Sequence, residues 1–166
     1  MNLDNLFQNF CKKNNLEINS YQLTVIDELK SYYKLNFNKS ILNKFFSKNN
    51  SKVAFYLHGG VGVGKTMILN FFFDLVEEKK LRQHFNEFML SFHDFAHERK
   101  ENNEENIINQ FVKDLKSKTE LIYFDEFQVT NIVDAMILGK LFEQIFKENI
   151  KIILTSNTKI SELYKD

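Results

Sequence analysis

The chain has 166 residues, 43% of them hydrophobic, and its 22 basic and 22 acidic residues leave a formal net charge of zero. This length and composition exclude a disordered protein and predict one globular domain with a full core. The neutral balance gives no overall basic footprint for nucleic acid. The single cysteine, Cys11, excludes an internal disulfide and argues against a metal cluster. With no apolar run of membrane-spanning length and no basic leader at the start, we expect a cytoplasmic protein.

Residues 1–50 are predicted to form a helical N-terminal segment, ahead of a core that occupies residues 51–166. Apolar residues recur at helical spacing in a first helix, at Leu3, Leu6, Phe7 and Phe10. Asn19 and Gln22 have the spacing of a capping box, which predicts the start of a second helix. A third, short helix is expected near residues 41–46. These apolar stripes are most simply packing surfaces, and a partner-docking helix is the alternative.

A phosphate-loop pattern, G-x-x-x-x-G-K-[ST], is matched at every fixed position by Gly59-Gly60-Val61-Gly62-Val63-Gly64-Lys65-Thr66. A predicted strand, residues 52–57, enters this segment, and a predicted helix, residues 66–80, leaves it. Backbone N–H groups of such a loop bind phosphates, a role we assign to all eight residues. Lys65 would contact the β- and γ-phosphates, and Thr66 would offer its hydroxyl to Mg²⁺. An ordinary glycine-rich turn is the alternative.

The elements that follow the loop alternate between helix and strand. They are expected as a helix over 66–80, a strand within 82–89, helices over 91–100 and around 107–115, a strand over 121–124, a helix over 131–147 and a strand over 150–156. In the helix over 131–147 we expect inward-facing side chains at Ile132, Val133, Met136, Ile137, Leu141 and Ile145. This alternation predicts an α/β fold, with a parallel sheet sandwiched by helices.

Polar side chains follow two of the predicted strands. The apolar run 121–124 is followed at once by Asp125 and Glu126, the Walker B pattern. Asp125 would hold Mg²⁺, and Glu126 would orient or deprotonate the attacking water. Asn157, after the last strand, would act as a polar sensor of the γ-phosphate or the lytic water. The alternatives are an acidic pair that merely ends a strand and a simple turn residue.

The two motifs lie about sixty residues apart with a predicted strand between them, which favours a P-loop NTPase of the AAA+-like class. The run Phe124-Asp125-Glu126-Phe127-Gln128-Val129-Thr130, continuing to Asp134-Ala135-Met136-Ile137-Leu138, closely resembles the AFG-like ATPases. That family includes bacterial cell-division ATPases of the ZapE type and a mitochondrial branch. The resemblance extends from about Gln22 to the end of the chain.

The resemblance implies Mg²⁺-dependent ATP hydrolysis coupled to remodelling of a protein partner, in the division machinery or in protein quality control. It also implies a homo-oligomer and the strand order 5-1-4-3-2. Asn86, Asn131 and Val63 depart from the family's usual residues without removing a catalytic group.

Length is the larger departure, since family members continue well beyond Leu163-Tyr164. The continuation carries the arginine finger, the fifth strand and the helical lid with its second sensor. We therefore expect a truncated core that lacks the last strand and the lid, with an exposed edge at residues 53–57 and poor solubility.

Two other functions remain open from the sequence. A nucleotide-binding fragment without efficient turnover is favoured by the expected lack of the arginine finger and lid. A nucleic-acid-associated ATPase is disfavoured by the neutral charge and by the presence of only two arginines, Arg82 and Arg99.

Overall fold

The computed structural model describes residues 2–37, 53–99, 103–129 and 131–162, so the predicted helix near 41–46 lies outside the described residues. The elements, in chain order, are α1 (Leu3–Lys13), α2 (Ser20–Phe37), β1 (Ala54–His58), α3 (Lys65–Leu75), β2 (Lys80–His84), α4 (Phe85–Arg99), α5 (Glu104–Lys118), β3 (Leu121–Asp125), α6 (Ile132–Lys147), β4 (Lys151–Ser156) and a 3-10 turn (Ile160–Glu162). None of the helices in these ranges is long and apolar enough to cross a membrane.

The four described strands form one parallel sheet in the order β1-β4-β3-β2. This confirms the predicted parallel α/β fold and agrees with the 1-4-3-2 part of the expected strand order. The two central strands, β3 and β4, are buried along their whole length. Their apolar runs, residues 121–124 in β3 and 152–154 in β4, are typical of strands that are covered by helices on both faces. Within the described residues, β1 and β2 are the two edges of the sheet.

Alternate side chains of β3 point to opposite faces of the sheet and enter two separate core clusters. Leu121 and Tyr123 pack with apolar side chains of α1, α2 and α3. Ile122 and Phe124 pack with those of α4, α5 and α6. The period of two along a strand therefore produces a three-layer sandwich from a single buried run.

Helix α2 is tied to the sheet and begins where the sequence predicts. The backbone N–H of Asn19 donates to Gln22 Oε1 at 3.2 Å, and the backbone N–H of Gln22 donates to Asn19 Oδ1 at 2.9 Å. This reciprocal pair is the predicted capping box. Farther along, the buried hydroxyl of Tyr32 donates to the Ile152 carbonyl of β4 at 3.2 Å. The described part of the N-terminal segment thus packs on the sheet, and its separation from the core as residues 1–50 stays a prediction.

The predicted strand within 82–89 is largely wrong. Strand β2 ends at His84, and helix α4 begins at Phe85. The alternation around Phe85 and Phe88 is also compatible with helical spacing, and the helix buries both, together with Met89 and Phe92. Their spacing of three and four residues is helical, and it matches the structure better than the short alternation over residues 84–88.

The inward face predicted for α6 is only partly correct. Leu141 and Ile145 are buried as expected, but Ile132, Val133 and Met136 are 78%, 51% and 74% exposed. Because the helix is apolar on more than one face, its periodicity could not tell which face packs on the sheet. Asn131 caps this helix by accepting a hydrogen bond from the Val133 N–H at 2.8 Å.

Replacing the capping side chain in Asn19→Ala should lower the free energy of unfolding by about 1 kcal/mol, because an N-terminal N–H of α2 loses its acceptor. Urea unfolding followed by circular dichroism measures this. Asn2→Ala is the matched control, since the Asn2 cap of α1 is longer, at 3.5 Å, and exposed. Equal effects of the two substitutions would contradict the prediction.

Candidate nucleotide site

The segment between β1 and α3 is a tight loop whose backbone requires glycine at two positions. Gly62 and Gly64 have φ angles of 81° and 90°, in the left-handed region that side chains disfavour. A Cβ on Gly64 would also lie 3.2 Å from Gln22 Nε2. At the start of the loop, the N–H of Gly59 donates to the Ser156 carbonyl at 3.3 Å, which joins the loop to the end of β4. The capping box of α2 and the end of β4 therefore both border the loop.

The ammonium of Lys65 lies over the loop, and the side chain is buried. It donates to the carbonyls of Gly59 and Gly60 at 2.8 and 2.7 Å and to Asn157 Oδ1 at 3.0 Å. The sequence places Lys65 and Asn157 far apart, and the fold brings them into contact. The loop lysine and the polar residue after β4 thus occupy one site, as the sequence predicts for carboxyl ends of neighbouring strands.

The carboxylate of Asp125, at the end of β3, accepts hydrogen bonds from four side chains. Oδ1 accepts from the hydroxyls of Thr155 at 2.8 Å, Tyr123 at 3.3 Å and Thr66 at 3.4 Å. Oδ2 accepts from Arg82 Nη2 at 2.6 Å. Sequence reasoning identified Asp125 and Thr66 but missed the other three. The sequence carries little signal for these three residues, because their proximity to Asp125 depends on the register of β2, β3 and β4 in the sheet.

These contacts decide the charge state of Asp125. Burial by itself raises the pKa of this carboxyl group, but hydrogen bonds from Arg82 and Thr155 and the guanidinium charge outweigh it. The net effect lowers the pKa of Asp125 below its ordinary value of 3.8. The group is therefore an anion at neutral pH, as a cation ligand must be.

Glu126 adopts an unusual backbone conformation, with φ of 54°. Non-glycine residues rarely occupy this left-handed region, and such strain is concentrated at functional sites. Its N–H donates to Thr155 Oγ1 at 3.0 Å, which holds the turn against β4. The side chain of Glu126 is exposed rather than packed in the core.

A cavity of about 590 Å³ opens beside this turn, at the carboxyl ends of β2, β3 and β4. It is lined by His84, Phe85, Asn86, Glu126, Phe127, Gln128, Ser156, Asn157 and Thr158. The predicted water-activating residue and the predicted sensor therefore share one cavity. The roles assigned to Lys65, Thr66, Asp125, Glu126 and Asn157 stay predictions that this arrangement is compatible with.

The residues at this site fit Mg²⁺. The Thr66 hydroxyl and the Asp125 carboxylate offer two oxygen donors within 3.4 Å of each other. No group of three or more His, Cys, Asp or Glu side chains in the described ranges could hold a metal by itself. Mg²⁺ at phosphate sites needs no such cage, since it uses one or two protein oxygens together with phosphates and waters.

Adding a methyl group in Gly64→Ala should weaken nucleotide binding roughly tenfold or more, because the left-handed backbone costs an L-residue about 1–2 kcal/mol. Titration with a fluorescent ATP analogue measures the affinity. Gly139→Ala is the matched control, since Gly139 lies within α6, outside the loop, and a Cβ there meets nothing within 4 Å. An unchanged affinity in Gly64→Ala would contradict the prediction.

The low pKa of Asp125 predicts a pH-dependent effect of Asp125→Asn. A carboxyl group with a pKa lower in the folded than in the unfolded chain stabilises the fold above the unfolded pKa. This contribution is lost as the pH falls through the folded pKa. We expect the variant to be less stable by about 1–3 kcal/mol at pH 7, from the lost charged hydrogen bonds, with the gap narrowing below pH 4. Urea unfolding at pH values from 7 to 2.5 measures the difference in unfolding free energy between the wild type and Asp125→Asn. A difference that does not change with pH would contradict the lowered pKa of Asp125.

Comparison with known proteins identifies relatives over most of the chain. The family model described as AFG1-like ATPase matches residues 6–166. Lactation elevated protein 1 homolog B of Danio rerio is 40% identical over 130 residues, which cover 72% of this chain and 26% of that protein. Cell division protein ZapE of Escherichia coli (strain K12) is 40% identical over 114 residues, which cover 67% of this chain and 29% of that protein. The chain thus spans less than a third of the length of these relatives.

Solved structures share the fold at low sequence identity. The AMPPCP-bound DnaA of Aquifex aeolicus superposes with a TM-score of 0.58 and 16% identity, over 91% of this chain and 43% of that one. DnaI gives a TM-score of 0.51 and 19% identity, over 90% of this chain and 73% of that one. These likenesses support the P-loop, AAA+-like architecture. Together with the family match over residues 6–166, they lead to one assignment: the chain belongs to the AFG1-like ATPase family.

Proposed function

We propose that this chain binds ATP with Mg²⁺ and hydrolyses it, in the service of remodelling a protein partner. One observation carries the proposal: the loop lysine, Lys65, contacts Asn157, while the loop threonine, Thr66, contacts Asp125. The glycine-rich loop, a buried carboxylate and the polar residue after β4 therefore converge at the carboxyl edge of one parallel sheet. In open α/β sheets this edge is where ligands bind.

Nucleotide binding is the function of the loop and the start of α3. The N–H groups at the N-terminus of α3 favour anions, and the loop backbone can approach phosphates closely. Lys65 already lies over the loop, held by the carbonyls of Gly59 and Gly60. On binding, its ammonium would exchange these carbonyls for phosphate oxygens, which are the stronger, charged acceptors.

Metal binding falls to Thr66 and Asp125. Bound Mg²⁺ would neutralise charge on the phosphoryl oxygens. Tyr123 and Thr155 orient the Asp125 carboxylate, so that Oδ1 faces Thr66.

Water activation falls to Glu126, which lines the cavity together with Asn157. The exposed carboxylate of Glu126 would orient a water and accept its proton as the water attacks. Asn157, in contact with Lys65, would hydrogen-bond that water or the γ-phosphate. The strained turn at Glu126 holds the carboxylate at the rim of the cavity rather than in the core.

The partner and the assembly are proposed by resemblance. ZapE, one of the relatives, is named as a cell-division protein. We propose a protein partner in division or in protein quality control, a homo-oligomeric working state and a cytoplasmic location. Nucleic acid is not the expected partner, because the chain is neutral and poor in arginine.

A second candidate function is nucleotide binding without efficient turnover. Both arginines of the chain already have partners: Arg82 binds Asp125, and Arg99 Nη1 donates to Gln110 Oε1 at 2.6 Å. Neither is among the residues that line the cavity. In related phosphoryl-transfer systems an arginine finger contributes about 10³–10⁵ in turnover. Such an arginine would have to come from elsewhere.

Phosphate release from Mg·ATP by the 166-residue chain tests the proposal, with Glu126→Gln as the control. We expect the wild type to turn over and Glu126→Gln to bind ATP with turnover lowered about 10²-fold or more, through loss of the general base. Lys65→Met should abolish binding. Wild-type turnover no higher than that of Glu126→Gln, in a preparation that binds ATP, would favour the second candidate.

A further inference from the structure

Arg82 is the charged partner of the metal-binding carboxylate, and the proposed chemistry gives it no role. It lies on β2, opposite Tyr123 of β3 in the sheet register. Its Nη2 is 2.6 Å from Asp125 Oδ2, and its guanidinium carbon is 5.0 Å from the centroid of the Tyr123 ring. The side chain of Asp125 is 8% exposed, whereas that of Arg82 is 42% exposed. The pair therefore joins a fixed anion to a cation at the surface of the site.

The two oxygens of Asp125 have different partners. Oδ1 accepts from Thr155 and Tyr123 and faces Thr66, whereas Oδ2 accepts from Arg82. Thr155 and Tyr123 orient Oδ1 without adding a charge. What Arg82 adds, beyond this orientation, is a positive charge next to the anion.

No other cation takes this position in the described ranges of the chain. The nearby ammonium of Lys65 is bound to the loop carbonyls and to Asn157, and Arg82 is the basic residue that forms an ion pair with Asp125. Removing Arg82 would therefore leave Asp125 as an unneutralised anion beside the phosphate loop.

We propose that Arg82 is a built-in counter-ion of Asp125 that sets how strongly nucleotide binding depends on Mg²⁺. This inference rests on the proposed function, because it assumes that nucleotide and Mg²⁺ bind at this site. Without the metal, Arg82 screens the repulsion between Asp125 and the phosphates of the nucleotide. With the metal, the same charge weakens the attraction of Asp125 for the divalent cation. Both effects reduce the difference between the affinity for nucleotide without Mg²⁺ and the affinity for nucleotide with Mg²⁺.

A purely structural role makes a different prediction. If Arg82 only pinned β2 to β3, its loss would weaken nucleotide binding equally with and without Mg²⁺. The two strands are already paired over five register positions, from Lys80 with Leu121 to His84 with Asp125. These backbone pairs do not involve the ion pair, so we expect this edge of the sheet to persist without it.

The measured quantity is the dissociation constant of a fluorescent ATP analogue in EDTA divided by its dissociation constant in saturating Mg²⁺. A high ratio means that binding depends strongly on the metal. In Arg82→Gln we expect this ratio to rise on the order of tenfold above wild type, because a unit charge close to the site is lost. Arg99→Gln is the matched control: it removes the same charge from α4, where Arg99 contacts Gln110, and should leave the ratio unchanged. Arg82→Lys keeps the charge and should stay near the wild-type ratio.

Two further variants separate charge from structure. Arg82→Met removes the charge but keeps an apolar stem over the Tyr123 ring, so its ratio should also rise. In an Asp125→Asn background, Arg82→Gln should raise the ratio less than it does in the wild-type background, because the carboxylate that Arg82 neutralises is gone.

The proposal is overturned if the ratio in Arg82→Gln and Arg82→Met equals that of wild type, or if neither variant folds by circular dichroism, since the pair would then be a structural pin. A wild-type chain that binds no nucleotide would overturn the proposed function as well. A wild-type chain that binds nucleotide, with ratios unaffected by Arg82, would overturn only this inference.

Discussion

The site depends on one hydrogen-bonded carboxylate, that of Asp125. Its oxygens join side chains from β2, β3, β4 and the start of α3, through Arg82, Tyr123, Thr155 and Thr66. A buried anion is stable only when it is paired and hydrogen-bonded, so these elements must meet around it in one arrangement. The same contacts that satisfy the buried charge also aim it at the phosphate loop. Stability of the sheet edge and readiness for a divalent cation thus have a common cause.

Thr155 and Ser156 extend this constraint to the neighbouring turns. Thr155 holds both the carboxylate and the N–H of Glu126, and the Ser156 hydroxyl donates to the Phe127 carbonyl at 2.8 Å. The end of β4 therefore positions the turn that carries Glu126 and the loop that starts at Gly59. A site of this kind is built from strand ends, where backbone carbonyls and N–H groups run out of ladder partners and take side-chain partners instead.

The sequence could predict those features of this arrangement that are encoded by neighbouring residues, but not those that depend on packing between distant segments. The phosphate loop, the Asp125–Glu126 pair and the capping box at Asn19 are local patterns, and the structure has each in the expected element. The strand predicted within 82–89 failed beyond His84 because the alternation over residues 84–88 is short, whereas Phe85, Phe88, Met89 and Phe92 recur at helical spacing. The inward face predicted for α6 is wrong at Ile132 and Met136 because they are as apolar as Leu141 and Ile145, which do pack. In the case of α6, tertiary packing, which no local pattern records, made the choice.

The sequence by itself determined the chemistry that is available: glycines where the loop backbone needs φ above zero, a lysine, a threonine and an acidic pair after a buried strand. It also determined the parallel sheet, since an apolar strand such as residues 121–124, within a chain that alternates strands with helices, is covered from both faces. Only the tertiary structure decided which side chains meet. The partners of Asp125 come from strands that are distant in sequence, Arg82 about forty residues before it and Thr155 thirty residues after it. Contacts of that kind depend on strand order and register, which are set by packing of the whole sheet rather than by any segment of it.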